Sequence, residues 1–162
     1  MGMTGSRPRL CVLGSGAVAT AMSVMLSEAG FEIECVQPGR KDHVCSMRLQ
    51  KGHSISEARV SCHGDPGGID PGSILLCLLA CKWRDAAHML ALCRSAWGRE
   101  TPLVLMLQNG IVQDEIPAGG DDRQIPVVVY ASMERVEHGA ARAHSIAQFV
   151  TAQRIQEKIG RA

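Results

Sequence analysis

The sequence predicts an α/β fold: a Rossmann-like, doubly wound, mostly parallel sheet with a terminal hairpin. Three observations predict it. Short apolar runs at 9–13, 31–36, 74–80 and 103–107 read as strands, the 74–80 run as one covered on both faces. Segments with helical spacing separate them, so strand and helix alternate as in right-handed βαβ units. The first strand also runs straight into a glycine-rich turn that opens a helix.

Taken in order, residues 9–13 form the first strand. After Gly16 the apolar positions Val18, Met22, Met25, Leu26 and Ala29 follow helical spacing, and Gly30 stands where a C-terminal cap belongs. Residues 31–36 form the second strand, stopped by Pro38-Gly39. A short helix is expected over 43–50 and a weak strand over 59–62, followed by a turn at Gly64-Asp65-Pro66-Gly67-Gly68. The strongest strand, 74–80, precedes a helix over 83–97 that Gly98 ends. Further strands are expected at 103–107 and 127–130. Two extended segments flanking His138-Gly139 read as a hairpin closing one edge of the sheet. A final helix is expected over 152–159.

At 162 residues the chain has room for one domain with a real core. Residues 1–8 read as a disordered tail, 9–150 as the domain, and 151–162 as the start of a truncated helical segment. Aromatic residues are only 3%, so the core must be built from aliphatic side chains and Met. The net charge of +1 gives no broad field for nucleic acid or an anionic membrane, so neither partner is expected. No run reaches the roughly 20 apolar residues of a membrane span. Seven scattered cysteines suggest reduced, buried thiols in a cytoplasmic protein. Cys77 and Cys81 would lie roughly 13 Å apart along a strand, too far to share an ion, and no metal is expected.

The turn Gly14-Ser15-Gly16-Ala17-Val18-Ala19 matches a dinucleotide-binding pattern. Gly14 allows the tight strand-to-helix turn, Gly16 lets backbone approach a pyrophosphate, and Ala19 permits close helix–strand packing. The helix start then offers free N–H groups to phosphate, which makes Gly14, Ser15, Gly16, Ala17 and Val18 the expected phosphate contacts. Cofactor choice is set after the second strand. No carboxylate occupies the strand end after Val36, whereas Arg40 and Lys41 follow at once, favouring NADP; Asp42, next in the chain, blurs that signal. Arg40 is the expected 2′-phosphate ligand because a planar guanidinium binds it bidentately. Lys82 and Gln108-Asn109-Gly110 follow buried strands directly, where ligands of open α/β sheets lie.

Together, the 14–19 turn, Cys81-Lys82, Leu107-Gln108-Asn109-Gly110-Ile111 with Glu115, and Tyr130-Ala131-Ser132-Met133-Glu134-Arg135-Val136 with Gly139 resemble the N-terminal domain of the ketopantoate reductases. The likeness runs from about residue 9 to 150. It implies an NADPH-dependent reduction of a small 2-keto acid, ketopantoate to pantoate, in pantothenate and coenzyme A biosynthesis. It also implies that Lys82 and Asn109 line the cleft as the catalytic cation and the hydrogen-bond donor to substrate. Pro38 stands where the family often has Arg, and Val112 where a small Gly is common. The family's helical C-terminal domain supplies the general-acid Lys and a substrate-binding Glu. Neither is expected within 162 residues, so the enzyme should be incomplete unless that domain or a second chain supplies them. Glu134 reads as structural, bonding the following turn, and His138 and His144 as surface residues. A non-catalytic NADP-binding module, a truncated and unstable product, and a related 2-keto acid or 2-hydroxy acid dehydrogenase stay open as alternatives.

Overall fold

The helix that follows the glycine turn is covered on every side, and the sheet is bent to cover it. A computed structural model describes residues 7–107 and 123–151, with side chains as far as residue 146. The order is β1 (Arg9–Leu13), α1 (Ala17–Glu28), β2 (Glu32–Val36), β3 (His43–Lys51), β4 (Ser54–His63), β5 (Ile74–Leu79), α2 (Trp83–Trp97), β6 (Val104–Met106), β7 (Gln124–Glu137) and β8 (Ala140–Thr151). Short 3-10 turns occupy Pro66–Gly68, Pro71–Ser73 and Gly98–Glu100.

The strands pair in the order β1-β2-β4-β3-β8-β7-β6-β5, and β5 returns to β1, so the sheet closes on itself. Pairing is parallel from β4 through β2, β1, β5 and β6 to β7. It is antiparallel within the β3–β4 and β7–β8 hairpins. A short parallel contact, Arg48 opposite Ala140 through Lys51 opposite Ala143, joins the two hairpins and shuts the ring. The expected doubly wound, mostly parallel sheet is therefore corrected to a closed mixed barrel with two helices among the described residues.

The physical reason lies in 43–50. That segment is a strand, because Cys45, Met47 and Leu49 alternate inward with exposed Val44, Ser46 and Arg48, the period of a strand. The weak strand expected at 59–62 is its longer partner β4. They meet at the two-residue turn Gly52-His53, where Gly52 takes a φ of 57° that favours glycine. With no helix on this side, the β3–β4 hairpin itself covers α1. The second hairpin, expected at a sheet edge, leaves no edge at all: its β8 pairs with β3.

Every residue from Ala19 to Val24 is buried. They pack with Leu10 and Val12 of β1, Ile33 and Cys35 of β2, Met47 and Leu49 of β3, Val60 and Cys62 of β4, Val127 of β7, and Ala141 and Ala143 of β8. The small side chains of Ala19, Thr20, Ala21 and Ser23 let strands approach the helix from several directions. Ser23 stays satisfied by donating to the Ala19 carbonyl at 2.8 Å. On the outer face, Ala86, Met89, Leu90, Cys93 and Trp97 of α2 cover Cys11, Leu13, Cys77, Leu79, Val104 and Met106. β1 and β5 are thus covered on both faces, as the apolar run of β5 predicts. Trp97 Nε1 donates to the carbonyls of Pro66 and Ile69, tying α2 to the turn before β5.

The seven cysteines are free, five of them buried and Cys45 and Cys81 half-buried. No described helix is long and apolar enough to cross a membrane. The expected helix 152–159 lies outside the described residues, as does the expected tail apart from Arg7 and Pro8.

Enclosure of α1 makes its small residues intolerant of added volume. Ala21→Leu is expected to cost about 1–3 kcal/mol in urea unfolding. Ala87→Leu, on the exposed face of α2, should stay within about 0.5 kcal/mol of the parent.

Candidate functional site

Parallel pairing places the carboxyl ends of β2, β1, β5 and β6 side by side on one rim of the barrel. The glycine turn leaves β1 at the centre of that row. Gly14 N donates to the Val36 carbonyl of β2 at 3.0 Å, and Ala80 N donates to the Leu13 carbonyl at 2.9 Å. Gly14 has a φ of 131°, and a Cβ there would lie 2.9 Å from the Cys81 amide nitrogen. Only glycine lets β1 pass this close to the end of β5. A Cβ on Gly16 would meet nothing nearer than 4.0 Å, so backbone there is open to a large group.

Gly16 caps α1 in an extended conformation without a side-chain cap, and no acidic residue sits in the first turn. The opening N–H groups of α1, at Ala17 and Val18, have no intrahelical acceptor, which leaves them for an anion. Unpaired amides, an open glycine and the positive end of the helix dipole all fit the pyrophosphate of a dinucleotide.

Residues Gln37-Pro38-Gly39-Arg40 form a tight turn, with Arg40 N donating to the Gln37 carbonyl at 3.3 Å. Proline at its second position and Gly39 at a φ of 82° at its third carry the signature of a type II turn. The turn folds the chain back, so Arg40 stays beside the end of β2 although it comes four residues after Val36. Arg40 is exposed and has no ion-pair partner among the described residues. The carboxylate nearby is otherwise engaged. Asp42 Oδ1 accepts from Gly64 N at 2.9 Å, and its Oδ2 lies 3.5 Å from His63 Nδ1, an ionic contact without a hydrogen bond. The Gly64 N–H and then His63 hold the Asp42 carboxyl below the usual carboxylate range. His63 Nε2 in turn bonds buried Glu34 at 2.8 Å. A Cβ on Gly64 would collide with the Arg40 carbonyl, so this glycine seats the turn. The sequence reading missed Gly64 because nothing local marks its contact with residue 40.

Gln37, at the base of the turn, is 3% exposed, and neither end of its amide has a partner among the described residues. Lys82 caps α2, its carbonyl accepting from Asp85 N at 2.9 Å. Its side chain is exposed, on the far side of the glycine turn from Arg40. Asn109, with Gln108, Gly110 and Glu115, lies outside the described residues. Glu134 spans the β7–β8 hairpin to Arg142 at 2.8 Å and His144 at 3.4 Å, so its bond runs across strands, not to the following turn. His144 is exposed as expected. His138 is half-buried, and its two ring nitrogens are covered without a hydrogen-bond partner among the described residues. A cleft of about 460 Å³ between Ser27, Phe31, Val44 and Arg59 lies by the amino end of β2, away from this rim.

The family model for "Ketopantoate reductase PanE/ApbA" matches residues 10–155. The chain belongs to the ketopantoate reductase family. No curated protein sequence matches it. Among solved structures, it is similar to the PanE/ApbA family ketopantoate reductase of Ralstonia eutropha JMP134, with 23% identity, a TM-score of 0.72, and coverage of 94% of this chain and 52% of that one. The 2-dehydropantoate 2-reductase of Geobacter metallireducens GS-15 gives 21% identity and a TM-score of 0.74 over 94% of this chain and 54% of that one. A D-mandelate dehydrogenase solved with NADH and anilino(oxo)acetate gives 16% identity and a TM-score of 0.61 over 85% of this chain and 46% of that one. The chain spans about half the length of these proteins. At such identities the likeness establishes the fold.

Two outcomes test this geometry. Gly14→Ala should cost about 1–3 kcal/mol from backbone strain alone, whereas Gly16→Ala should cost about 1 kcal/mol or less, the loss of a good helix N-cap without strain. Burial, then Arg40, Arg135 and His43, lower the His138 pKa below its ordinary 6.5. The unfolded chain therefore takes up this proton first as pH falls, and folding stability drops below about pH 6.5. In urea unfolding at pH 7.5 and 5.5, His138→Gln is expected to lose less on acidification than the parent.

Proposed function

We propose that this chain is the nucleotide-binding half of a ketopantoate reductase, holding NADP along the rim where β1, β2 and β5 end. The observation that supports the reading is the 37–40 turn, which folds the chain back after β2 and leaves Arg40 exposed and without an ion-pair partner among the described residues. Gly14, Ser15, Gly16, Ala17 and Val18 would hold the pyrophosphate through backbone N–H groups. Arg40 would hold the 2′-phosphate, a contact that NADH cannot make. Bound NADPH supplies the hydride for reduction of the keto carbon. Lys82 would place an ammonium toward the substrate, where it offsets negative charge developing on the keto oxygen. Asn109 would donate a hydrogen bond to the keto acid. The proton that completes the alcohol would come from the lysine of the helical domain that the resemblance implies, on this polypeptide or a second one. A cytoplasmic setting in pantothenate and coenzyme A biosynthesis suits the free cysteines, since thiols stay reduced there.

The test is titration of the purified chain with NADPH and NADH, followed by ketopantoate. Saturable binding that favours NADPH is expected. Arg40→Ala should weaken NADPH roughly ten- to a hundredfold and leave NADH within about twofold, the scale of one lost charge-assisted contact. Lys82→Ala should impair ketopantoate-dependent oxidation wherever the parent shows it, whether alone or with its helical domain. Equal affinity for the two cofactors, unchanged by Arg40→Ala, would overturn the NADP assignment.

A further inference from the structure

A second set of ligands occupies the same rim. Antiparallel pairing sets His43 at the start of β3 directly opposite Cys62 at the end of β4. Cys45, two residues along, points to the same face, because side chains alternate along a strand. One ring nitrogen of His43 and the Sγ atoms of Cys45 and Cys62 all lie within 4.8 Å of one another. We infer that His43, Cys45 and Cys62 form a site for a thiophilic divalent cation of the zinc class.

The chemistry of the three groups supports this. Two thiolates and an imidazole are a zinc donor set, and two thiolate charges neutralise a divalent ion. Tetrahedral bonds of about 2.0–2.3 Å place donor atoms roughly 3.5–3.8 Å apart, within about an ångström of the spacing here and within reach of side-chain rotation. The tautomer of His43 also suits the task. Its Nδ1 lies 2.8 Å from the Lys41 carbonyl, which can only accept, so Nδ1 carries the proton and Nε2 keeps its lone pair. Metal-bound histidines are usually fixed through the other ring nitrogen in this way. His138, whose ring nitrogens have no hydrogen-bond partner among the described residues, lies within electrostatic reach of His43 and Arg40. The fourth position falls to water.

Without metal, both thiols stay protonated. Burial pushes Cys45 up to about 12. A hydrogen bond with Cys35, then burial, pushes Cys62 up as well. Each ion bound therefore displaces two thiol protons into solvent and forms two metal–sulfur bonds and one metal–nitrogen bond. The ion would clamp β3 to β4 at the end from which the Arg40 turn emerges.

The experiment titrates the 162-residue chain, with its thiols kept reduced, with Co²⁺ and then Zn²⁺. Expected are one Co²⁺ per chain with a thiolate charge-transfer band and tetrahedral visible bands, displacement by Zn²⁺, and two protons released per ion. Mg²⁺ and Ca²⁺ should have no effect. Cys45→Ser and Cys62→Ser should each weaken Zn²⁺ binding by about a hundredfold or more, while Cys81→Ser should bind as the parent does. His43→Ala guards against a folding artefact, because His43 is exposed and its loss should weaken binding without lowering the melting temperature of the metal-free chain. Absence of the thiolate band, or full-affinity binding by His43→Ala, would overturn the site.

Discussion

Enclosure of α1 is the constraint on which the rest of the structure depends. A helix buried from Ala19 to Val24 needs apolar partners all round, and one sheet face cannot supply them. Two hairpins supply the remainder by curling over the helix from opposite sides and pairing through β3 and β8. The small residues of α1 are therefore a condition of ring closure. The same helix begins at the glycine turn, so the backbone proposed to face a phosphate group is held in place by a helix whose next six residues are all buried. Phosphate contacts made by backbone need this rigidity, since no side chain can rotate to compensate.

Charge around the rim is divided between groups that are engaged and groups that are free. Asp42 accepts from Gly64 N, and His63 bonds Glu34 while lying beside Asp42, along the ends of β2 and β4. Arg40 and Lys82 are left to face solvent on either side of the glycine turn. A carboxylate that would blur the choice between the two nicotinamide cofactors is thereby occupied, and the cations stay available. The candidate metal ligands occupy the next strands around the same rim, so the segment 37–45 carries both the candidate phosphate contact and two of these ligands.

Local pattern made much of this readable. Strands β1, β2, β5 and β6, helix α2 and the glycine turn follow from continuous apolar runs, helical spacing and glycine placement, and they were found within a residue or two. The 43–50 segment was misread because Val44-Cys45 followed by Met47 and Leu49 satisfies helical and strand spacing almost equally over so short a span. That one misreading carried two others with it. It left the sheet open, since β8 then had no partner besides β7, and it hid the candidate metal ligands, because positions 43 and 45 share a face on a strand and not on a helix. Cys62 joins them through cross-strand register, which no local pattern encodes. Arg40 was assigned by chemistry alone, and the 37–40 turn supplies the physical route by which it reaches the strand end. Asn109, assigned by resemblance, lies outside the described residues.

The most direct test of a dinucleotide seated on this rim is an amide NMR titration of the labelled chain with NADP⁺. Shifts concentrated at Gly14, Ser15, Gly16, Ala17 and Val18, with Arg40 and Lys82 flanking them, are the predicted result. Shifts confined to the cleft around Ser27, Phe31 and Arg59, or no saturable shifts at all, would contradict it.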